Sequence, residues 1–530
     1  MSETFDVVVA GAGHNSLVAT AYLARAGLRC LVLEARPTIG GDTSSEERTV
    51  PGFVHDSCST AHNLIQASPI LADDELHLGE HGLEYLHPDP VVHVPFPDGS
   101  AITQWRDPDR TAGELARFSQ KDAAAYVHLL ADYDQVAPIY GRYRYTPAGW
   151  GPSLEELLLG GPDGSKWARR AAMSAWDVIS REFEDEHVRA FMAWMAFMTL
   201  QPLDRPGGGM LAYSLVSGRQ RHSWVLPKGG SGALPAALAR CIEARGGEIR
   251  TGRRVVRLCV EGDRCVGVET EDGERFLSSV AVLSSIHVKH LVEMADPEAW
   301  GEDFLFGVET WQPGVSMFVA HYATAAPPHF SVDGGERVSV AAGIVSSAER
   351  LLRVGRDVRR GRVATDDPVL LVLCPTVEDR SRAPEGCHTL KVIGFQPYEL
   401  PEGPGRWDAI KGEVAAAHLA QLRRFAPNLT DDVIRHEEVV SPLDLERQNA
   451  HNWHGSCHGG DMGPAQSGRL RPVPGWADHR MPIPGLYQTG STTHPGGSVS
   501  GAPGRNAAMV MLADLGRSIE EVVAGASSSR

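Results

Sequence analysis

The chain opens with Phe5-Asp-Val-Val-Val-Ala-Gly-Ala-Gly-His-Asn-Ser16, and this stretch decides the fold of the first segment. The apolar, β-branched run at residues 7–10 is typical of a buried parallel strand, and the glycines after it predict a tight turn. An alanine-rich helix is expected over residues 17–27, then a second strand over 28–33 that ends at Glu34. Strand, glycine turn, helix and closing acid together predict a Rossmann-like dinucleotide-binding unit.

Each part of this unit has a role at a bound dinucleotide. Gly11 turns the chain sharply, and Gly13 lets backbone N–H groups approach a pyrophosphate at the helix N-terminus. The carboxylate of Glu34 can accept hydrogen bonds from ribose hydroxyls, and it would repel the 2′-phosphate of NADP. Ser16 replaces the third glycine of the fingerprint, whose role is to pack helix on strand. We therefore expect Ser16 to be tolerated without touching phosphate.

Two later glycine-rich stretches complement the first. Pro227-Lys-Gly-Gly-Ser-Gly232 precedes an expected helix and several strands between 248 and 285, which return the chain to the nucleotide unit. Pro484-Gly-Leu-Tyr-Gln-Thr-Gly490 runs on through His494-Pro-Gly-Gly-Ser-Val-Ser-Gly501 into an apolar helix expected over 507–515. The N-terminus of that helix carries about half a unit of positive charge, which suits the N1–C2=O edge of a flavin. A chain that closes on both ends of a cofactor favours FAD over NAD.

Further motifs extend along the chain: the Gly40-Gly41 pair, Phe118-Ser-Gln-Lys-Asp-Ala123, Pro442-Leu-Asp-Leu-Glu446, Thr493-His-Pro-Gly-Gly497 and Gly501-Ala-Pro-Gly-Arg-Asn506. With the Gly-Ala-Gly-His-Asn turn, they resemble the bacterial phytoene desaturase-like flavoproteins of the carotenoid desaturase/isomerase and amine oxidase superfamily. The sequence departs from that pattern at Ser16 and at Gly40-Gly-Asp-Thr43, where many carotenoid desaturases carry an arginine- or alanine-bearing form. The second departure weakens the transfer of a carotenoid substrate to this chain.

The resemblance implies an α/β fold with a Rossmann-like FAD-binding domain of the two-dinucleotide (GR2) type and an inserted α+β substrate domain. We expect the discontinuous FAD-binding domain to comprise residues 1–70, 227–290 and 441–525. The substrate domain is expected to comprise residues 71–226 and 291–440.

The residues expected to contact FAD come from the glycine-rich stretches and the strands beside them. They are Gly11, Ala12, Gly13, His14, Asn15, Ser16, Glu34, Ala35, Gly41, Asp42, Thr43, Val255, Ser284, Gly490, Ser491, Val499, Ser500 and Ala502. Val255 is included because the resemblance implies that its strand presents backbone groups to the adenine; the sequence alone makes it a core strand residue.

Histidines are the candidates for proton transfer. His494 lies in the predicted flavin turn and His62 follows the nucleotide motif, so each can be a general acid or base. For His494 the alternative is a packing or flavin-contact role. His451, Cys457 and His458 suggest a metal, but no second ligand cluster recurs at ligand spacing, and we expect none.

The stretch Arg189-Ala-Phe-Met-Ala-Trp-Met-Ala-Phe-Met-Thr-Leu200 is apolar on all sides of a helix. Such a helix is buried, and methionine adapts to irregular ligands. Two interpretations stay open here: a core helix, or a wall of the substrate site.

Composition limits the remaining function classes. The formal charge of −17 disfavours nucleic acid and anionic membranes as partners. The longest apolar stretch, residues 190–200, is shorter than the ~20 residues that span a bilayer. The eight cysteines form no CxxC pair. Because the first strand begins by Phe5, we expect no signal peptide and a cytoplasmic protein without an integral membrane segment.

The resemblance implies an FAD-dependent dehydrogenase, desaturase or oxidase. It would take hydride from a CH–CH or CH–N bond of a largely apolar small molecule onto flavin N5. Oxygen, a quinone or another carrier would accept the electrons. The alternatives are a redox-neutral FAD-dependent isomerase and a flavin-bearing partner protein without turnover.

Overall fold

The computed structural model describes residues 4–332 and 335–525. Its strands are β1 (Thr4–Ala10), β2 (Cys30–Leu33), β3 (Ser45–Glu47), β4 (Val54–Asp56), β5 (Tyr85–Leu86), β6 (Val92–Pro95), β7 (Ala101–Gln104), β8 (Leu226–Pro227), β9 (Glu248–Arg250), β10 (Val255–Glu261), β11 (Arg264–Thr270), β12 (Arg275–Ser284), β13 (Met317–Thr324), β14 (Phe330–Val332), β15 (Gly335–Arg337), β16 (Ala341–Ile344), β17 (Leu370–Leu373), β18 (His388–Phe395), β19 (Ile434–Val440) and β20 (Leu486–Gln488).

Its α-helices are α1 (His14–Arg25), α2 (Pro69–Ala72), α3 (Pro108–Ala116), α4 (Gln120–Arg144), α5 (Leu154–Leu159), α6 (Gly164–Ala172), α7 (Ala175–Glu182), α8 (Glu186–Phe197), α9 (Leu211–His222), α10 (Ala233–Glu243), α11 (Val288–Leu291), α12 (Pro297–Trp300), α13 (Glu302–Glu309), α14 (Ala348–Arg359), α15 (Trp407–Phe425), α16 (Pro442–Gln448), α17 (Ala502–Asp514) and α18 (Ile519–Gly525).

The first large sheet has seven strands in the order β10-β11-β12-β1-β2-β9, with β20 pairing β12. Strand β1 lies between β12 and β2, parallel to both, so that Val9 stands opposite Leu283 on one side and Val32 on the other. Strand β20 adds a further parallel neighbour to β12. The apolar run predicted from the sequence is thus a central parallel strand, buried on both faces as such strands usually are.

Helices α1, α10 and α17 pack on one face of this sheet. Helix α17 approaches α1 so closely that a Cβ at Gly504 would lie 2.1 Å from the carbonyl oxygen of Asn15. Helix α17 begins at Ala502, earlier than predicted, because Gly501 ends the turn with a φ of 69° and proline is tolerated in a first helical turn.

The second large sheet has seven strands in the order β19-β13-β18-β17-β16-β6-β7. It is antiparallel except for the β16–β6 pair. Alternate residues of its strands point to opposite faces. One face packs against α15, and the other packs against α8, α9 and α14.

Helix α8 settles the two interpretations of the apolar stretch. Phe191, Trp194 and Phe197 are fully buried in the core between α8 and the second sheet. A Cβ at Gly343 of β16 would lie 2.4 Å from the Trp194 ring. The body of α8 is therefore a core helix; only Met198 and the residues after it reach the cavity described below.

The two sheets draw on the two sets of segments predicted for the domains. Strands of the first sheet fall within residues 1–70, 227–290 and 441–525, and strands of the second within 71–226 and 291–440. The exact boundaries stay a prediction. Among the described residues, no helix combines the length and apolarity needed to cross a membrane.

Candidate active site

A cavity of about 1140 Å³ is lined by residues of both large sheets. Its volume exceeds the ~300–1,000 Å³ of ordinary small-molecule sites. It extends from the glycine turn after β1 to apolar residues of β17 and β18. One cavity thus connects the predicted nucleotide unit with the second sheet.

The glycine turn forms one end of the cavity. Gly11 has a φ of 96°, and a Cβ there would lie 2.4 Å from the Ser285 hydroxyl, so only glycine fits. A Cβ at Gly13 would meet no atom within 4 Å. Helix α1 begins directly afterwards at His14, and no side chain caps its first N–H groups. These donors remain available to an anion.

Glu34 holds the turn in place from the end of β2. Its Oε2 accepts a hydrogen bond from the Ala12 N–H at 2.8 Å, and its Oε1 accepts one from the Arg36 N–H at 2.9 Å. A carboxylate has about four lone-pair sites, so each oxygen can still accept a second bond. Because Glu34 also lines the cavity, it can accept from a ribose hydroxyl while fixing the backbone.

Ser16 stabilises the same turn through its hydroxyl. The Oγ lies 2.6 Å from the Gly11 carbonyl oxygen and 2.9 Å from that of Gly13. A serine hydroxyl has a single proton to donate to these two acceptors. The sequence predicted only a packing role for Ser16. In the structure its hydroxyl also forms a hydrogen bond to the glycine turn and so helps to hold the turn in place.

Asp42 connects the turn to the far end of the chain. Its Oδ1 accepts hydrogen bonds from the side-chain amides of Asn449 and Asn452 at 2.9 and 3.0 Å. Neither asparagine was identified from the sequence, because each lies outside a glycine-rich motif. Their only sequence signal is their place beside the histidines at 451–458.

The opposite wall comes from the turn between β20 and α17. Gly490, Ser491, Val499 and Ser500 line the cavity. The Ser491 hydroxyl forms a hydrogen bond with Nε2 of His451, which also lines the cavity. The glycine-rich C-terminal motif therefore faces the same cavity as the N-terminal one.

Most residues predicted to hold the cofactor line this cavity. They are Gly11, Gly13, His14, Asn15, Ser16, Glu34, Ala35, Gly41, Asp42, Thr43, Val255, Gly490, Ser491, Val499 and Ser500. Ala12, Ser284 and Ala502 do not line it. All three are fully buried. The Ala12 N–H donates to Glu34, the Ala502 N–H donates to the Ser500 hydroxyl, and the Ser284 hydroxyl accepts from the Ile286 N–H.

His494 lines the cavity, but as a neutral ring held by the protein. Its Nε2 bonds the Tyr143 carbonyl oxygen at 3.0 Å, and the Tyr143 ring meets it edge-on at 4.8 Å. Burial lowers the pKa of His494 to about 4. The imidazole is therefore uncharged at neutral pH, which favours the packing or contact role over a general acid.

His62 does not line the cavity, so the structure gives no support to its predicted role in catalysis. The side chain is fully buried, with Nε2 bonded to Ser231 Oγ at 2.7 Å and Nδ1 to Tyr85 Oη at 3.1 Å. Burial lowers its pKa to about 3. Both ring nitrogens of His62 are hydrogen-bonded, so the side chain links Tyr85 of β5 to Ser231 in the turn before α10.

Cys58, Cys457 and His458 also line the cavity. A hydrogen bond with Cys58 and the adjacent imidazole of His458 lower the pKa of Cys457 to about 6. The same partnership raises the pKa of Cys58 well above its usual value. Within the described residues, no group of three or more His, Cys, Asp or Glu side chains is placed to hold a metal ion.

A further part of the lining is apolar and was not identified from the sequence. Alternate residues of β17 and β18 point into the cavity, together with the start of β13, the segment after α8 and tyrosines of α4. They include Leu371, Leu373, Ile393, Phe395, Met317, Met198, Leu200, Tyr133 and Tyr140. These residues are scattered along the chain and form no motif, so sequence patterns could not group them.

The residues present fit a bound dinucleotide. An uncapped helix start and an open space above Gly13 suit a pyrophosphate. Among the described residues, buried Nε2 of His14 and Oδ1 of Asn15 find no hydrogen-bond partner in the protein. Buried polar atoms are normally paired, so these two are placed to receive a ligand.

Comparisons with known proteins agree with this geometry. The profile of the family described as flavin containing amine oxidoreductase matches residues 17–512. Pyridine nucleotide-disulfide oxidoreductase domain-containing protein 2 of Mus musculus is 28% identical, with 96% of this chain and 94% of that protein covered. A limonene dehydrogenase component of Castellaniella defragrans is 26% identical, with 98% and 97% covered.

A lycopene-forming phytoene desaturase of Pantoea ananas is also 26% identical, with 96% of this chain and 99% of that protein covered. Among solved structures, a putrescine oxidase triple mutant superposes with a TM-score of 0.63 at 14% identity, covering 97% of this chain and 98% of the other. That likeness concerns the fold alone. The predicted resemblance and fold class are thereby confirmed. The chain belongs to the flavin-containing amine oxidoreductase family and is a phytoene desaturase-like flavoprotein oxidoreductase.

Proposed function

We propose that the protein binds FAD and uses it to dehydrogenate a largely apolar small molecule. The observation that carries this proposal is the continuity of one cavity from the nucleotide turn to the apolar faces of β17 and β18. A cofactor and a substrate can therefore meet inside the protein, away from water.

FAD rather than FMN follows from how far the cavity extends. Glu34, Arg36 and Val255 line its outer end, beyond the turn suited to a pyrophosphate. An adenosine would occupy that end, with its ribose next to Glu34. FMN lacks the adenosine and would leave this part of the cavity without a ligand.

The bound flavin would supply the redox chemistry by accepting a hydride at its N5 atom. The residues of this chain orient the reactants and exclude water. The apolar lining from β17 and β18 orients a substrate, and the N-termini of α1 and α17 favour negative charge at the two ends of the cofactor. His494 is uncharged at neutral pH and keeps the wall in place by donating its Nε2–H to the Tyr143 carbonyl oxygen.

The names of two relatives, a phytoene desaturase and a limonene dehydrogenase, support dehydrogenation of a hydrocarbon, and the description of the family as amine oxidoreductases supports oxidation of a carbon–nitrogen bond. Either reaction places a substrate C–H bond against the cofactor and forms a C=C or C=N bond. Oxygen, a quinone or another carrier remains to be tested as the electron acceptor.

The test begins with the purified protein. We expect a flavin absorbance spectrum, and FAD rather than FMN in the extract of the denatured protein. Anaerobic addition of a substrate should bleach the flavin stoichiometrically and turn over only when an acceptor is added. Colourless protein that cannot be reconstituted with FAD would contradict the cofactor; turnover without any acceptor would indicate the isomerase instead.

A further inference from the structure

Arg219 of α9 is a buried cation that lines the cavity. Its side chain is 4% exposed, and its guanidinium carbon lies 3.7 Å from the centroid of the Trp224 ring. Nη1 contacts the sulfur of Met195 at 3.3 Å, and Nε has no hydrogen-bond partner. Burial lowers the pKa of Arg219 to about 9, so the group stays positively charged at neutral pH.

Other buried arginines of the protein have hydrogen-bond or ion-pair acceptors within the chain. Arg382 forms an ion pair with Asp56 at 3.0 Å, and Arg505 forms one with Glu75 at 2.8 Å. Arg471 donates to several backbone carbonyl oxygens. Arg219 has neither a carboxylate nor a carbonyl oxygen among the described residues. A buried charge without a partner is costly, so an acceptor supplied by a ligand in the cavity would stabilise Arg219.

Trp224 adds a second donor at the same place. The indole is 2% exposed, lines the cavity and stacks on Trp194 of α8 at 6.5 Å between ring centroids. Its Nε1–H is buried and finds no acceptor in the described part of the chain. The guanidinium of Arg219 and the indole of Trp224 thus each have an N–H group without an acceptor among the described residues, and both residues line the same cavity.

The location is the substrate region and not the nucleotide region. Trp224 and Met195 belong to the core that packs α8 and α9 on the second sheet. The carboxylates that line the cavity, Glu34, Asp42 and Glu293, come from the nucleotide unit and the segments packed against it. No acidic side chain from the segments between 71 and 226 lines the cavity to neutralise Arg219.

We propose that Arg219 and Trp224 bind the carboxylate of an otherwise apolar substrate. The inference rests on the proposed function and narrows its substrate class to apolar carboxylic acids. A planar guanidinium matches a carboxylate in geometry and charge. A hydrocarbon would leave the cation unpaired, and a protonated amine would be repelled by it.

Calorimetric titration of the purified holoprotein with decanoate, decan-1-ol and decylamine tests this proposal. The three probes share an apolar chain and differ in charge. We expect decanoate to bind at least tenfold more tightly than decan-1-ol, and decylamine to bind most weakly. Equal affinities for decanoate and decan-1-ol, or a preference for decylamine, would overturn the proposal.

Variants locate the binding site. Arg219→Gln should weaken decanoate binding tenfold or more and leave decan-1-ol binding unchanged, whereas Arg219→Lys should recover part of the loss. Trp224→Phe keeps the ring and removes the donor, so a severalfold loss for decanoate alone is expected. Arg353→Gln, an exposed arginine of α14, is the matched control and should bind decanoate like the parent protein.

Two further points separate failure of this inference from failure of the proposed function. If Arg219→Gln does not fold, the comparison of the three probes on the parent protein still decides the question. Decanoate binding requires no turnover, and the FAD content of each sample is measured separately. A protein that cannot bind FAD but still prefers decanoate would contradict the proposed function and leave only the carboxylate-binding site at Arg219 and Trp224 standing.

Discussion

The two ends of the cavity are built on different principles. The nucleotide end uses backbone N–H groups, glycines and the carboxylates of Glu34 and Asp42, and most of its parts lie in short contiguous motifs at 11–16, 40–43 and 490–501. The substrate end uses apolar side chains from β13, β17, β18 and α4, with Arg219 as its buried cation. The difference teaches that the predicted cofactor contacts are recorded in local motifs, whereas the side chains proposed to face the substrate are scattered along the chain and form no motif.

The largest effect is expected from Gly497→Val, where the added side chain would clash with the protein itself and not with the cofactor. A Cβ at Gly497 would lie 2.5 Å from the His458 Cα, and this steric conflict, rather than a positive φ, makes glycine necessary there. Gly497→Val should lower the free energy of unfolding by about 1–3 kcal/mol. It should slow flavin reduction roughly 100-fold or more by displacing the wall. Chemical denaturation and stopped-flow absorbance measure the two effects.

Gly13→Ala is the matched variant at the nucleotide end. Gly13 has a φ of −67°, and its Cβ would enter open space, so the apoprotein should keep its stability. FAD affinity should fall tenfold or more if the pyrophosphate approaches this backbone. Loss of stability with unchanged FAD affinity would show that the glycine serves the fold alone.

Glu34 tests whether one carboxylate serves both the turn and the ribose. Glu34→Ala removes charge-assisted hydrogen bonds worth roughly 1.5–3 kcal/mol, or about one to two decades of FAD affinity. Titration of apoprotein with FAD gives the affinity directly. Glu34→Gln keeps one acceptor oxygen and should fall between the parent and the alanine variant; an unchanged alanine variant would exclude the role.

His494 should have a smaller effect on the reaction. His494→Ala is expected to slow flavin reduction less than tenfold, with the same pH profile between 6 and 8, because the ring is already neutral there. A loss of roughly 100-fold or more would instead indicate proton transfer.

The low pKa of His494 also has a stability consequence. The ring titrates at about 4 in the folded protein and near 6.5 when unfolded. Acidification through this window therefore protonates the unfolded chain first and destabilises the fold. Denaturation at pH 7 and pH 5 should show a smaller acid loss for His494→Ala than for the parent.

Ser16→Gly has the smallest expected effect. It removes a hydroxyl bonded to loop carbonyls, a net contribution of about 0.5–1.5 kcal/mol, while the glycine restores the usual fingerprint. FAD affinity should stay within a few-fold of the parent value in a titration of the apoprotein, because this position packs helix on strand. A larger loss would mean that the hydroxyl contacts the cofactor itself.

The sequence predicted the nucleotide end well because its motifs are local. The positions of β1, α1 and Glu34 follow from apolar runs and turn glycines, which act over a few residues. The family and fold class followed from the same motifs. His62 was chosen for its proximity in sequence to the nucleotide turn, which gives no information on which side of the cavity wall its ring lies.

Residues that depend on tertiary packing were not predictable. Asn449 and Asn452 reach Asp42 across the fold, and Arg219 looks like an ordinary arginine on a helix until its burial is known. Helix α8 illustrates the same limit, since an apolar helix is compatible with a core and with a substrate wall. The burial of Phe191, Trp194 and Phe197 between α8 and the second sheet decides between them.

The contacts between Asp42 and the late part of the chain have a consequence for the order in which the protein is assembled. The hydrogen bonds from Asn449 and Asn452, and the bond from Tyr145 Oη to the Ser500 carbonyl oxygen, join early segments to the last part of the chain. A ribosome must therefore release most of the chain before both walls of the cavity exist. A cofactor that needs both walls would therefore be bound only after residues 449–500 have packed against the N-terminal segments.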